Sequence, residues 1–295
     1  MTNRASEYSA QRSAPVSTAY DQPLVFGDSS TVTRIVAQNP GMMTGPGTNT
    51  YLVGGSHLAV IDPGPDILEH AEALAATGGG RIRWILVTHT HPDHAPGAAR
   101  LASMTGAEVL GFGMRDGFTP DTAIGDGHVL DAGGVQIRAI YTPGHASNHL
   151  CYLHESEGVL FSGDHVMDGS TVVIAPPDGD MGDYMNSLRS LRDHEPSMSS
   201  IAPGHGNLIP DPRARLEEYI VHREKREEAI ANALESAGNS TVAGLVAAVY
   251  TDVPEFLHPV AEFSVWAHLR KMATEGIAAC SDISDRASKW SWAAG

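Results

Sequence analysis

The sequence predicts a layered α/β fold, and two features of the chain carry this prediction. Short apolar runs alternate with helix-like segments through about residue 210, which is typical of sheets covered by helices. The chain has 295 residues, 42% of them hydrophobic. It can therefore form a sizeable core in one large domain, or in one large and one small domain.

The first predicted elements are a hairpin and a helix. Apolar runs at 47–53 and 57–61 flank the turn residues Gly54-Gly55-Ser56, a pattern that favours two antiparallel strands. Residues 66–76 then show helical spacing, and three consecutive glycines at 78–80 predict the end of this helix.

The strongest predicted strand covers residues 82–87, and a helix over 95–104 follows it, ended by Gly106. Shorter apolar runs bounded by polar or glycine-rich residues predict additional strands. These runs lie at 108–112, 135–141, 150–154, 159–161 and 200–201.

The pattern changes after Pro210-Asp211-Pro212, which predicts a domain boundary. Helical spacing follows over 213–237, 241–249 and 260–274, and short runs at 276–279 and 289–292 come last. Three helices and a closing hairpin predict a small winged-helix-like domain. The predicted organisation is a flexible extension at 1–23, the layered α/β domain at 24–210 and the winged-helix-like domain at 211–295.

Charge and cysteine content disfavour several classes of protein. The net charge is −16 and the chain has only three lysines, so it repels nucleic acid at long range, although a local basic patch can coexist with an acidic body. Two cysteines, Cys151 and Cys280, are too few for a disulfide framework, so a cytoplasmic location is expected. The apolar runs are too short to cross a bilayer, so no membrane partner is expected.

A run of potential metal ligands follows the strongest predicted strand, in Thr88-His89-Thr90-His91-Pro92-Asp93-His94. His89, His91 and Asp93 alternate, so in an extended segment their side chains point to the same side. His94 stands at the turn into the next helix and can reach a neighbouring point. Imidazole and carboxylate ligands together suit zinc, manganese or iron.

Three later segments place a ligand-type side chain directly after an apolar strand, and a glycine precedes each one. They end in His145, Asp164 and His205. Glycine permits the sharp turn and the close backbone approach that a crowded metal site needs. Because active sites commonly lie where such strand ends meet, we expect these side chains to join the first four.

These motifs resemble those of the metallo-β-lactamase superfamily. The His-x-His-x-Asp-His run is its most specific signature, and the later Gly-His, Gly-Asp and Gly-His segments match its remaining metal motifs, over about residues 30–210. The resemblance implies an αββα sandwich with two metal ions in a groove at its edge. Zn²⁺ is the expected metal, with Mn²⁺ or Fe²⁺ as alternatives. The resemblance assigns His89, His91 and His145 to the first ion, Asp93, His94 and His205 to the second, and Asp164 to both.

The expected chemistry follows from the charges. Two divalent cations bridged by Asp164 lower the pKa of a shared water toward neutrality, so a hydroxide is the expected nucleophile. Asp164 and Asp93 are the residues expected to act in catalysis, Asp93 by moving a proton to the leaving group. The resemblance also assigns Asp62 to supporting the metal loop from behind. His149 could support the site, and His165 could face either the groove or the core.

The C-terminal part resembles the winged-helix extension of the lactamase-beta-like protein 2 group. The resemblance rests on His222-Arg223-x-x-Arg226 and Ala267-His268-Leu269-x-Lys271-Met272. Members of this group include an endoribonuclease that cuts single-stranded RNA. The expected function is hydrolysis of an ester, thioester, amide or phosphodiester bond in a small-molecule or oligomeric substrate. An RNA endonuclease and a glyoxalase II-like thioesterase are the alternatives.

Other functions are disfavoured. The acidic balance and the lack of an aromatic stacking platform weaken the RNA alternative. Dedicated β-lactamases generally lack the bridging aspartate that Asp164 supplies. A DNA-binding regulator would need a recognition helix with exposed basic or amide side chains, and the third C-terminal helix offers mainly Arg270 and Lys271.

Overall fold

The computed structural model describes residues 24–26, 31–251 and 253–293. Within these ranges the strands form two larger sheets and one small sheet. The predicted extension at 1–23 lies outside the described residues, so it stays a prediction.

The first sheet comes from the N-terminal part of the chain. Its strands are β1 (Leu24–Phe26), β2 (Val32–Val36), β3 (Asn49–Gly54), β4 (Leu58–Ile61), β5 (Ile82–Leu86), β6 (Glu108–Gly111) and β7 (Thr122–Ala123). They lie side by side in chain order. The pairs from β1 to β4 are antiparallel, and those from β4 to β7 are parallel.

The second sheet packs face to face on the first. Its strands are β8 (Val129–Asp131), β9 (Gln136–Tyr141), β10 (Leu150–His154), β11 (Val159–Gly163) and β12 (Ser200–Pro203), in the spatial order β12-β11-β10-β9-β8. One buried cluster joins Tyr51 and Leu86 of the first sheet to Leu150 and Phe161 of the second. The rings of Tyr51 and Phe161 lie 5.1 Å apart, so the inner faces of the two sheets form a single core.

Helices cover the outer faces of both sheets. Helices α1 (Leu68–Gly78) and α2 (Gly97–Thr105) pack on the first sheet, and α3 (Met181–Arg192) packs on the second. Leu74 and Leu101 share a cluster with Val60 and Ile85. The layers are therefore helix, sheet, sheet, helix, which confirms the predicted αββα sandwich.

Most predicted elements agree with the structure to within a few residues at their ends. Strands β1, β2, β7, β8 and β13 have no predicted counterpart, and neither has helix α3. Its sequence nevertheless carries helix signals: Asp180 caps its N-terminus by accepting a hydrogen bond from the Asp183 amide at 3.0 Å, and the buried residues recur at helical spacing. The apolar ones are Met181, Tyr184, Met185, Leu188 and Leu191.

The C-terminal part contains the predicted three helices and closing hairpin. The helices are α4 (Pro212–Ala237), α5 (Val242–Val249) and α6 (His258–Thr274), and the small sheet joins β13 (Asn239–Ser240), β14 (Ala278–Ala279) and β15 (Trp290–Trp292). Their arrangement confirms the winged-helix prediction. No helix in the described ranges is long and apolar enough to cross a membrane.

Helix α4 belongs to two hydrophobic cores. Its N-terminal residues Leu216, Tyr219 and Ile220 pack in the cluster that lies between the second sheet and α3. Its later residues Ile230 and Leu234 pack in the winged-helix core. The helix therefore ties the small domain to the sandwich through side chains on both sides of its midpoint.

Candidate metal centre

The predicted ligands come from loops at one edge of the sandwich, each just after a strand. Residues 89–94 follow β5, His145 follows β9, Asp164 follows β11 and His205 follows β12. Because these strand ends meet at the same edge, the structure brings all seven predicted side chains together. Among the described residues they form two groups that are able to hold a metal ion.

The first group is His89, His91 and His145. The Nε2 atoms of His89 and His145 each lie 3.0 Å from Nδ1 of His91. The ring of His91 is tilted by 79° to that of His89 and by 88° to that of His145, so the rings meet through their nitrogens and do not stack. Converging imidazole nitrogens are a donor set that Zn²⁺ and similar ions bind.

The second group is Asp93, His94, Asp164 and His205. Nε2 of His94 lies 3.3 Å from Oδ1 of Asp164, and Nε2 of His205 lies 3.4 Å from the same oxygen. Nε2 of His205 is also 3.1 Å from Oδ2 of Asp93. Two imidazoles and two carboxylates thus face one point.

Asp164 stands between the two groups. Its Oδ1 faces the imidazoles of the second group, whereas its Oδ2 lies 4.0 Å from Nε2 of His145 in the first group. Each oxygen therefore faces a different group. This is the placement expected of a carboxylate that bridges two ions.

The unpaired polar atoms of the second group fit a bound cation. His94 Nε2, His205 Nε2 and Asp164 Oδ1 are buried and lack a well-aligned hydrogen-bond partner. Leaving one such atom buried and unpaired costs about 1–3 kcal/mol. Three such atoms face one another here. A bound metal ion would pair with all of them, whereas an empty cluster would leave them unpaired.

Asp62 organises the metal-binding loop from behind. It accepts hydrogen bonds from the amide and the hydroxyl of Thr88, both at 2.8 Å, and from Nδ1 of His94 at 2.8 Å. Since the Thr88 hydroxyl donates to Asp62, its oxygen accepts from Nδ1 of His89, 2.9 Å away. These bonds leave Nε2 of both histidines free for metal. The supporting role predicted for Asp62 is confirmed.

The other histidines are oriented by backbone carbonyls. Nδ1 of His145 lies 2.9 Å from the Val173 carbonyl oxygen, and Nδ1 of His205 lies 3.3 Å from that of Gly47. Donation from Nδ1 leaves Nε2 of each ring directed at its group. The sequence gives no side-chain signal for these carbonyls. Thr88, in contrast, directly precedes His89, so its hydrogen bond to His89 could be predicted from the sequence.

Replacing Asp62 by asparagine should weaken binding of the second metal ion by about tenfold to a hundredfold. The carboxylate accepts three hydrogen bonds, and an amide would turn its NH₂ group toward one of those donors. Metal titration measures the loss, and Asp66→Asn on the surface, where Asp66 pairs with Arg100, is the matched control. Unchanged affinity in the Asp62 variant would show that the loop keeps its shape without this carboxylate.

Glycine permits the close packing of the site at two positions. A Cβ atom on Gly204 would lie 2.7 Å from both Asp164 Oδ1 and His94 Cε1. Gly163 has a φ of +47°, and a Cβ there would lie 2.6 Å from the Thr88 hydroxyl. Such distances are too short for any side chain, so the structure confirms the role predicted for the glycines before Asp164 and His205.

His149 and His165 both lie behind the site. His165 is fully buried, and its ring packs 4.9 Å from that of Tyr184, so it faces the core and not the groove. The buried ring of His149 lies 5.0 Å from that of His89, and its Nδ1 is 2.9 Å from the Thr142 hydroxyl. His149 therefore packs against a predicted ligand without joining either group.

Burial and neighbouring charges set the protonation states of the predicted ligands. Burial lowers the pKa of His145 to about 4, so its ring is neutral at pH 7. Burial also disfavours a charged His205, but the carboxylates of Asp164 and Asp93 outweigh this and raise its pKa to about 9. Burial opposes ionisation of Asp164, yet its histidine neighbours hold its pKa well below the usual range. The carboxylates stay ionised, and a divalent cation would take the place of protons.

A groove of about 650 Å³ opens onto both groups of ligands. Four predicted ligands line it, namely His91, Asp93, His145 and Asp164. Its other lining residues are Pro92, residues of the turn at 42–43 and of the loop at 167–178, and the C-terminal positions Leu257 and Val260. The winged-helix domain thus forms part of the wall of this groove.

The protein is therefore a layered α/β protein in which two stacked sheets lie between helices. A groove lined by histidines and aspartates at one edge forms its candidate metal centre. The chain belongs to the metallo-β-lactamase superfamily, whose family model matches residues 43–205. The model of the beta-lactamase associated winged helix domain matches residues 241–290. Membership in this superfamily indicates a hydrolase.

Named relatives span most of the chain. The Beta-lactamase-like protein 2 homolog of Drosophila melanogaster is 35% identical over 276 residues, which cover 86% of this chain and 91% of the relative. The Lactamase-like protein adaB of Aspergillus niger is 35% identical over 280 residues, covering 86% of each chain. These similarities confirm the resemblance to the lactamase-beta-like protein 2 group.

Solved structures share the same fold. A beta-lactamase domain protein from Burkholderia ambifaria aligns with a TM-score of 0.77, over 96% of each chain and at 18% identity. The metallo-beta-lactamase family protein TTHA1429 from Thermus thermophilus aligns with a TM-score of 0.72, over 89% of this chain and 98% of that one, at 21% identity. At these identities the similarity supports the fold alone.

Proposed function

We propose that this protein is a dinuclear metal-dependent hydrolase. The observation that carries the proposal is the placement of Asp164, whose two oxygens face two separate groups of ligands. Zn²⁺ is the proposed metal, because both groups combine imidazole with the carboxylate of Asp164, and Mn²⁺ or Fe²⁺ suits the same ligands. When bound, the ions would supply a hydroxide nucleophile near neutral pH and polarise the substrate oxygen.

The residues of the chain have separate tasks in this proposal. Asp164 offsets the repulsion between two cations held close together. Asp93 lines the groove and its carboxylate is 24% exposed, so it can reach a leaving group there, and we propose that it passes the proton to it. His89, His94 and His205 are held from behind and keep the ions in place.

The bond to be hydrolysed is an ester, thioester, amide or phosphodiester bond. RNA remains an alternative substrate by analogy with the lactamase-beta-like protein 2 group.

Cys151 and Cys280 are not linked to each other, and we propose a cytoplasmic location on the basis of the low cysteine content.

The purified protein should contain close to two transition-metal ions per chain after reconstitution, because two groups of side chains could each hold one ion. Elemental analysis gives the stoichiometry, and chelation followed by re-addition of Zn²⁺ or Mn²⁺ tests whether hydrolysis follows the metal. The substrate panel contains thioesters, lactones, phosphodiesters, β-lactams and single-stranded RNA. A stoichiometry that stays at one would refute the dinuclear proposal.

A further inference from the structure

Apolar side chains from two distant parts of the chain meet at the groove. Met42 and Met43 come from the turn between β2 and β3, and Leu257 and Val260 come from the start of the third C-terminal helix and the residue before it. Met42 is 72% exposed and Met43 is 59% exposed. Large apolar side chains that gather in the open beside a candidate catalytic site are typical of a binding surface.

The loop that forms another part of the groove is apolar and firmly held. Met167, Val172 and Val173 line the groove from this loop. On α4, Arg215 donates to the Met167 carbonyl oxygen at 2.8 Å, and Arg223 donates to that of Val172. Because these carbonyls are bonded to a helix, the wall is already in place before a substrate arrives.

The groove offers no cationic side chain to a polyanion. Within the described ranges, no lysine or arginine lines it. The guanidinium groups behind the wall are already engaged: Arg115 pairs with Asp178 at 2.6 Å, and Arg215 and Arg223 donate to the wall carbonyls. Grooves that follow a nucleic-acid backbone rely on lysine and arginine. The charge distribution therefore favours a substrate with little negative charge.

We infer that this groove binds an ester or thioester whose acyl part is apolar, with Met42, Met43, Leu257 and Val260 as the residues that select it. The inference rests on the proposed hydrolase function. The reacting carbonyl lies at the candidate metal centre, and the hydrocarbon part lies along the apolar side chains. In the reaction, the oxygen of water bonds to the acyl carbon and the C–S or C–O bond breaks. The products are a carboxylate and a thiol or alcohol.

The binding test uses the carboxylate products and does not depend on turnover. Acetate, butyrate, hexanoate and octanoate are titrated into the zinc-loaded protein by calorimetry. Each added methylene that enters the groove should tighten binding about threefold to fourfold. Equal dissociation constants for acetate and octanoate would overturn the inference. So would a single-stranded oligoribonucleotide that displaces octanoate at physiological salt.

Variants of the selecting residues locate the effect. Leu257→Asn and Met43→Gln keep the size of the side chain, and both positions are partly or largely exposed, so folding is not at risk. Each should reduce the preference for octanoate over acetate by at least about fivefold. Met104→Gln is the matched control, since Met104 is 43% exposed on α2 and lines a different surface pocket. A preference that survives both variants would place the acyl group elsewhere and refute the assignment.

The same chain-length series as p-nitrophenyl esters separates this inference from the proposed function. Metal-dependent hydrolysis whose kcat/KM rises from acetate to octanoate supports both. Metal-dependent hydrolysis without such a rise leaves the hydrolase proposal intact and contradicts the apolar acyl site. If carboxylate binding follows chain length but no ester or thioester is hydrolysed, the acyl site stands as a binding site and the hydrolase proposal fails for this class of substrate.

Discussion

A fragment that ends at residue 211 is expected to lose the folded sandwich, and not merely the winged-helix domain. Leu216, Tyr219 and Ile220 of α4 pack in the sandwich core and are at most 3% exposed. Burial of each large apolar side chain contributes about 1.5–3 kcal/mol, so losing three costs about 5–9 kcal/mol. The free energy of unfolding of a whole domain is only about 5–15 kcal/mol. The fragment should therefore lack a cooperative melting transition and be poorly soluble.

A fragment that ends at residue 237 is the matched control, because it keeps α4. It also keeps the bonds from Arg215 and Arg223 to the groove loop. We expect it to melt cooperatively and to bind metal, since all seven proposed ligands precede the cut. It lacks Leu257 and Val260, so any preference for longer acyl chains should weaken. Cooperative melting of the shorter fragment near the temperature of the full-length protein would contradict the double role of α4.

The candidate metal site could be predicted because its signals are local. His89, His91, Asp93 and His94 lie within six residues, so their proximity could be predicted, although the turn at 92–94 puts Asp93 with His94 in the second group. Each later ligand ends an apolar strand and follows a glycine, so each prediction needed only a few neighbouring residues. The strand at 150–154 was predicted at its observed bounds for the same reason.

Features that depend on contacts between distant segments could not be predicted in this way. The helical pattern of α4 shows which residues are buried, but not that Leu216 and Ile230 are buried in different cores. The orientation of His165 is decided by the packing of Tyr184 from α3, an element with no predicted counterpart. Met43 and Leu257 are separated by most of the chain, and neither carries a local signal for a shared groove.

Changing Asp164 to asparagine should remove one of the two metal ions and lower turnover by about a hundredfold or more. The carboxylate is 12% exposed, and each of its oxygens faces a different group of ligands. Asparagine keeps the size but has one oxygen and no charge, so it can serve one group only. The remaining charge on Asp93 cannot offset the repulsion between two divalent cations held within a few ångströms.

The measurement combines bound metal, melting temperature and kcat on the best substrate of the panel. Asp168→Asn is the control, because this exposed carboxylate, four residues further on, accepts hydrogen bonds from Asn207 and belongs to neither group of ligands. It removes the same charge from the same loop and should leave metal content and turnover nearly unchanged. If the Asp164 variant keeps both ions and near-normal turnover, this carboxylate does not bridge them. The second ion would then be held by Asp93, His94 and His205 alone, with the charge of the pair offset elsewhere.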